Sequence, residues 1–323
     1  MRQALRSFLG AIAALSFAAS ALAQAYPVKP VTIVVPFAPG GAMDTTARLM
    51  AEQLRGKLGQ PVIVDNRTGA GGAIGTQAVQ HAQPDGYTIL FTNQGPNVIR
   101  EILYPDTKYK TTSDFDAISM LSVSPLILVV SKDANIKSMA DLIKLGKEGS
   151  SKLNYGSSGV GSPANIASES LNVSTGTHFA HIPYAGASKI VAALLGNEVQ
   201  MAFLAPSDAM PHVQSGALRA IGVTSDARYF FAPDVPTVKE SGVKNVDFNM
   251  WYGLMVPAGT PKPVVQKLNT AVVEVLQQPE TRERLQKIGF EAKSSTPAQM
   301  MDRLRSDRTN FEAVISRAGI KAE

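Results

Sequence analysis

One feature constrains this chain more than any other. A short β-branched strand, a loop of glycine and proline, and a helix follow one another repeatedly. Val31-Thr-Ile-Val-Val-Pro36 reads as a buried strand and Phe37 to Ala42 as a Gly/Pro loop. Asp44 opens a helix in which Ala47, Ala51, Leu54 and Leu58 keep helical spacing until Gly59 closes it. Pro61 to Asp65 and Gly86 to Thr92 are further strands, separated by a glycine loop at Gly69 to Gly72 and a helix over Ala73 to Ala82. This β-α-β-α-β order predicts a parallel sheet with right-handed crossovers.

Asp116 to Val130 follows as two strand-like pieces broken at Ser122 to Pro125, a stretch suited to crossing between domains. A second alternation then begins. Its helices are expected over Ser138–Lys147, Pro163–Leu171, Ala187–Leu195 and Asp208–Ser215. Its strands are expected over Leu153–Tyr155, Phe179–Pro183, Val199–Leu204 and Leu218–Val223. Val246 to Val256 is extended and can cross back, and three helices end the chain, over Pro261–Gln277, Glu280–Ile288 and Pro297–Arg317. The prediction is an α/β protein of two domains, residues 26–123 plus 248–323 and residues 124–247, a division that suits 323 residues. Ligands on such sheets bind beyond the carboxyl ends of the strands. That places Phe37 to Asp44, Thr92 to Pro96, Ser157 to Ser162 and Tyr184 to Ala187 around one cleft.

The first 25 residues are read apart from the fold. Arg2 and Arg6 precede an apolar run from Phe8 to Leu22, and Ala21-Leu22-Ala23 or Ala23-Gln24-Ala25 offers an A-x-A cleavage site. This is the form of a secretory signal peptide, since the run is shorter than the roughly 20 residues a membrane span needs. Cleavage would lower the formal charge from +5 to +3 by removing those two arginines. The remaining basic residues are scattered without interleaved aromatics, so no nucleic-acid partner is expected. Cysteine is absent, which removes disulfides, thiolate catalysis, Cys-ligated metals and a lipidated N-terminal Cys. Only His81, His178, His181 and His212 could serve a multi-histidine metal site, and no metal or cofactor is expected.

Two loops carry the binding chemistry. Gly40-Gly41 lies between a strand and a helix start, where backbone can approach a ligand and helix amides can face an anion; a tight turn alone would use the same residues. Ser157-Ser158-Gly159-Val160-Gly161-Ser162 offers hydroxyls and amides before the next helix, or else forms a flexible turn. Gly69-Ala-Gly-Gly-Ala-Ile-Gly75 is spaced G-x-G-x-x-x-G and lacks a well-placed acidic residue for a ribose, so close packing of its helix is the better reading than a dinucleotide site. A secreted serine hydrolase acting on small esters or amides is the rival class. Ser162, His181 and Asp208 are the components, but Gly161-Ser162-Pro163 is not a nucleophile elbow. Asp44 and Glu52 read as capping and solvated residues, with Asp44 also able to orient the loop before it.

The order of short motifs resembles the Bug-type periplasmic solute-binding proteins of tripartite tricarboxylate transporters, over nearly the whole chain after the leader. The matching stretches are Tyr26-Pro-Val-Lys-Pro30, Val35-Pro-Phe-Ala-Pro-Gly-Gly41 with Asp44 and Ala47-Arg48, Asp65-Asn-Arg67, Gly69-Ala-Gly-Gly72 and Ile74-Gly75. Pro84-Asp-Gly-Tyr-Thr88, Gly159-Val-Gly-Ser162, His181-Ile-Pro-Tyr184, Arg219-Ala220, Pro233-Asp-Val-Pro-Thr237, Trp251 and Pro257-Ala-Gly-Thr-Pro261 continue the series.

The resemblance implies a two-domain Venus-flytrap fold, no catalysis, and a monomer in the periplasm that delivers a small carboxylate to membrane permease subunits. It implies a ligand site built from Phe37, Gly40, Gly41, Ala42 and Asp44, from Thr92 and Asn93, from Ser157, Ser158, Gly161, Ser162 and Asn165, and from Tyr184 and Leu204. Three positions depart from the family pattern: Asn165 stands for a common His, Ala185 for a common Lys, and Leu204-Ala205 where an Asp is frequent. Loss of an acidic partner for a ligand amine, and gain of apolar wall, favour an amine-free, partly apolar carboxylate, an aromatic acid being one example.

Overall fold

The computed structural model describes residues 26–148, 153–184, 186–246 and 248–322. The leader with its cleavage site, Ala185 and Asp247 lie outside the described residues.

The first alternation forms β1 (Val31–Val35), α1 (Ala42–Leu58), β2 (Val62–Asn66), α2 (Ala73–Gln80) and β3 (Thr88–Thr92). A π-helical turn at Gly95–Ile99 runs into α3 (Arg100–Leu103), and α4 (Thr111–Asp114) precedes β4 (Phe115–Pro125). The 95–114 helical stretch has no counterpart in the sequence expectations. The second alternation runs β5 (Ile127–Ser131), α5 (Met139–Glu148), β6 (Asn154–Ser157), α6 (Pro163–Thr175), β7 (Ala180–Pro183), α7 (Ala187–Leu195), β8 (Met201–Leu204), α8 (Pro206–Gln214) and β9 (Leu218–Val223). β10 (Asn249–Pro257), α9 (Lys262–Gln277), α10 (Pro279–Lys287), the two-residue β11 (Glu291–Ala292) and α11 (Pro297–Ala318) complete the chain.

Two sheets result, ordered β11-β4-β10-β3-β1-β2 and β7-β6-β8-β5-β9. The expected parallel pairing holds for β2-β1-β3 and for β7-β6-β8. Each sheet then turns mixed, because β10 is antiparallel to β3 and β4, and β5 is antiparallel to β8 and β9. Both intruding strands arrive from the other sheet and so run the opposite way. The break expected at Ser122 to Pro125 is not a break in pairing: Ser122 stands opposite Tyr252 and Pro125 opposite Asn249. The chain leaves the first sheet after Pro125 and joins the second at Ile127.

The layers follow from alternation along the strands. On β1, Val31, Ile33 and Val35 face the core built with α1 and α9, while Val34 faces the opposite core. On β8, Ala202 and Leu204 face α7 and α8, while Met201 and Phe203 face a core that continues between the sheets through α6 and α11. α11 begins with a capping box, Thr296 with Gln299, and buries Met300, Leu304, Phe311 and Ile315 on one face. Gly75 confirms the close-packing reading of the glycine-rich stretch: a Cβ there would lie 2.7 Å from the Arg67 carbonyl oxygen and 2.8 Å from Pro36.

Candidate functional site

The strand-end loops of the two sheets have one local design. In the first, Gly40 has φ +88° and Gly41 is the N-cap of α1. Asp44, at the third helical position, reaches back so that its Oδ2 accepts the Gly40 amide at 2.9 Å. In the second, Gly161 has φ +75°, Ser162 is the N-cap of α6, and Asn165 at the third helical position accepts the Gly161 amide at 3.0 Å. Asp44 therefore lies inside its helix, which begins two residues earlier than expected, and its role toward the loop is the orienting one.

Asp44 is 4% exposed and saturated with donors. Besides Gly40 it accepts Arg48 Nε at 2.9 Å and Asn66 Nδ2 at 3.0 Å. Asn66 also donates to the Phe37 carbonyl at 3.0 Å and accepts Arg48 Nη2 at 3.1 Å. Burial by itself would raise the Asp44 carboxyl, but the hydrogen bonds from Arg48, Gly40 and Asn66 outweigh it and hold the group below its ordinary value. Arg48 and Asn66 were present in the family motif but absent from the expected site; their part is to fix the loop's shape. The N-cap itself makes no side-chain hydrogen bond, so the first amides of α1 keep their donors beside the exposed Gly40 and Gly41.

The second loop spends more of its donors internally. Ser162 Oγ accepts the Asn165 amide at 3.3 Å, and Asn165 Nδ2 donates to Tyr155 Oη at 2.7 Å. Tyr155 Oη donates in turn to Glu169 at 2.6 Å. Ser157 is fully buried, with its Oγ 2.7 Å from His181 Nε2 and 3.1 Å from the Gly159 amide. His181 stacks on Tyr155 with ring centroids 5.0 Å apart. Ser158 is exposed and Tyr184, whose amide donates to the Ser157 carbonyl at 2.8 Å, is half-buried.

The remaining expected residues divide. Asn93 Nδ2 reaches Met43 Sδ at 3.2 Å, which sets the 92–96 loop against the start of α1 beside Ala42. Thr92 is fully buried and its hydroxyl is bonded to Asn97. Leu204 is 3% exposed and packs with Ile127 and Val223, so its side chain belongs to the core of the second sheet, and the apolar-wall argument loses its support. Gly161 backs onto the first sheet's helical stretch: a Cβ there would be 2.5 Å from Leu103 and 3.2 Å from Ile99. Gln94, unforeseen from sequence, is 1% exposed and holds β10, donating to the Asn249 carbonyl and accepting the Trp251 amide, both at 3.3 Å.

For the hydrolase reading, Ser162 is engaged as a cap and His181 contacts Ser157 instead. Among the described residues no cluster of three or more His, Asp or Glu is arranged to hold a metal ion, and no helix is long and apolar enough to cross a membrane.

Two mixed α/β sheets, each with small-residue loops after its parallel strands and each holding a strand that follows an element of the other, define the class: a two-domain periplasmic binding-protein fold. The family model of the tripartite tricarboxylate transporter family receptor matches residues 46–320. The chain belongs to that family. It is 33% identical over 311 residues to BugT of Bordetella pertussis, covering 96% of this chain and 95% of that protein. Rhodopseudomonas palustris Rpa4515, solved with adipate, is 30% identical with a TM-score of 0.83, covering 92% of this chain and 99% of that one. MatC of R. palustris, solved with bound malate, is 31% identical with a TM-score of 0.78, covering 90% and 100%.

Proposed function

We propose that the protein is a periplasmic receptor that captures a small carboxylate and presents it to the permease subunits of a tripartite tricarboxylate-type transporter, acting as a monomer after removal of its leader near Ala23 or Ala25. The observation that carries this reading is the start of α1. Gly41 supplies no side-chain cap, both glycines before the helix are exposed, and the Asp44 carboxylate beside them is locked by three donors. A helix N-terminus in that state suits an anion. Bound malate and adipate in two relatives support the ligand class.

The domain division, 26–123 plus 248–323 against 124–247, belongs to the same proposal. The two bodies close on ligand about the 125–127 crossing and the return of the chain to β10, with Ser124 and Pro125 still paired to the first sheet. Phe37, Gly40, Gly41, Ala42, Asn93, Ser158 and Tyr184 form the ligand surface, with Asp44, Thr92, Ser157, Gly161, Ser162 and Asn165 shaping it.

A thermal-shift screen of the mature protein against mono-, di- and tricarboxylates tests the proposal. A carboxylate at 100 times its Kd raises stability by about 2.7 kcal/mol. Small-angle scattering with the confirmed ligand is expected to show a smaller radius of gyration. Turnover of small esters or amides by the same preparation, with no carboxylate shifting its unfolding, would favour the hydrolase.

A further inference from the structure

The crossing strands divide the molecule into two sides. In the order β11-β4-β10-β3-β1-β2 the loops that follow β3 and β1 lie to one side of β4 and β10, and β11 lies to the other. In the order β7-β6-β8-β5-β9 the loops that follow β6 and β7 lie to one side of β5, and β9 lies to the other. The two loop sides coincide, since Gly161 meets Ile99 and Leu103. The two far sides coincide as well: a cavity of about 910 Å³ is lined by Arg228 and Phe230, which follow β9, and by Glu291 and Lys293, in and after β11.

On that far side the turn at Gly289 joins the two bodies. Gly289, between α10 and β11, has φ +74°, and a Cβ there would lie 2.8 Å from Pro206 Cβ and 3.3 Å from the Ser207 amide nitrogen at the start of α8. Its carbonyl accepts Tyr229 Oη at 2.7 Å, from the second body, and Ser124 Oγ at 2.8 Å, from β4. Tyr229 is buried, so its bond is shielded from water. Across the cleft the situation is the reverse. Among the described residues no hydrogen bond joins the 37–44 loop to the 157–162 loop or to Tyr184.

A rotation that brings the loops after β1 and β3 toward those after β6 and β7 separates the two far sides, because the crossing strands lie between them. The Tyr229–Gly289 bond and the seat of Gly289 on Pro206 are given up in that motion. We propose that the Gly289 turn and Tyr229 form a brace that holds the cleft open and so sets its affinity from the opposite side of the hinge. This rests on the closure reading above. A receptor whose binding-competent form is a minor population binds more weakly by that fraction, so loosening the brace tightens binding.

Cysteine is absent from the chain, so Arg55→Cys on α1 and Lys189→Cys on α7, both exposed, carry a defined pair of spin labels. Double electron–electron resonance on the ligand-free mature protein is expected to show a shorter distance in Tyr229→Phe than in its parent. Calorimetry of unlabelled protein with malate and adipate is expected to show binding about fivefold tighter in Tyr229→Phe, the effect of one lost hydrogen bond, although its urea midpoint falls. Gly289→Ala, whose methyl wedges against Pro206, is expected to shift distance and affinity in the same direction. It decides the matter should circular dichroism show Tyr229→Phe misfolded. Ser124→Ala removes the bond to the same carbonyl from within the first sheet, and is expected to lower stability without tightening binding. Unchanged distances in folded Tyr229→Phe and Gly289→Ala overturn the brace. So does weaker binding, which would place the contact in the closed form, or tightening by Ser124→Ala equal to that of Tyr229→Phe. Failure of malate, adipate and the other carboxylates of the screen to bind the folded wild type overturns the carboxylate reading instead, and the spin-label distances still decide the brace.

Discussion

The two strand-end loops share a plan and differ in what they leave available. Gly40-Gly41-x-x-Asp44 and Gly161-Ser162-x-x-Asn165 place a left-handed glycine, an N-cap and a polar side chain that reaches back to the glycine amide. The first loop locks itself with a charged group braced from β2 by Asn66, and leaves its helix start uncapped. The second caps its helix with Ser162 and anchors Asn165 to the Tyr155–Glu169 chain. One loop is thus a rigid frame around spare donors; the other satisfies its own donors and packs against the opposite domain at Leu103.

The largest expected effect tests the frames. Asp44→Ala removes the one acceptor shared by the Gly40 amide, Arg48 Nε and Asn66 Nδ2, and is expected to cost about 3 kcal/mol in urea unfolding. Asn165→Ala removes a neutral acceptor and donor and is expected to cost about 2 kcal/mol. Reversal of that order would mean the charged frame is the weaker one.

The glycines separate the loops next. Gly161→Ala meets both a left-handed φ and Leu103, so a loss of about 2 kcal/mol is expected, while Gly40→Ala meets open space and is expected to lose only about 1 kcal/mol for the backbone strain. Equal losses would remove Leu103 as the difference between the two.

Gly41→Val is expected to leave unfolding nearly unchanged, because φ is −80° and a Cβ would meet only the Ala38 carbonyl oxygen at 4.0 Å. Carboxylate affinity is expected to fall at least tenfold, about 1.4 kcal/mol. An unchanged Kd in calorimetry would move the anion site to the Ser157 to Ser162 loop.

The smallest effect is in acid. Asp44 lies below its ordinary value of 3.8 in the folded protein. Its contribution to stability is therefore complete above that value and is lost as the pH falls through the folded one. Asp44→Asn is expected to flatten the stability curve below about pH 4, whereas Asn165 carries no such dependence. Asp307 has the opposite sign. Burial, only partly offset by Arg303 and Trp251, raises it, so its charged form works against the fold above its unfolded value. Parallel acid curves for wild type and Asp44→Asn would dissociate the Asp44 frame from the pH response.

By itself the sequence determined the order of the main strands and helices outside 95–114, the two small-residue loops and their matching place at strand ends. Strand and helix propensities, glycine conformations and capping residues act over a few positions, and so they are legible locally. α7 over Ala187–Leu195 and β9 over Leu218–Val223 fall where the periodicity puts them. Only the tertiary structure decided which partners those elements take. β10 inserts between β3 and β4 across more than a hundred residues of chain. Gln94 holds it through bonds to residues 155 and 157 positions away, and Asn66 braces a loop 29 positions earlier. Leu204 turned from a wall residue into core because the facing of β8 is set by α7 and α8, which no local pattern encodes. Long-range pairing is fixed by what buries and satisfies each face once the chain is compact, and that information is spread over both halves of the molecule.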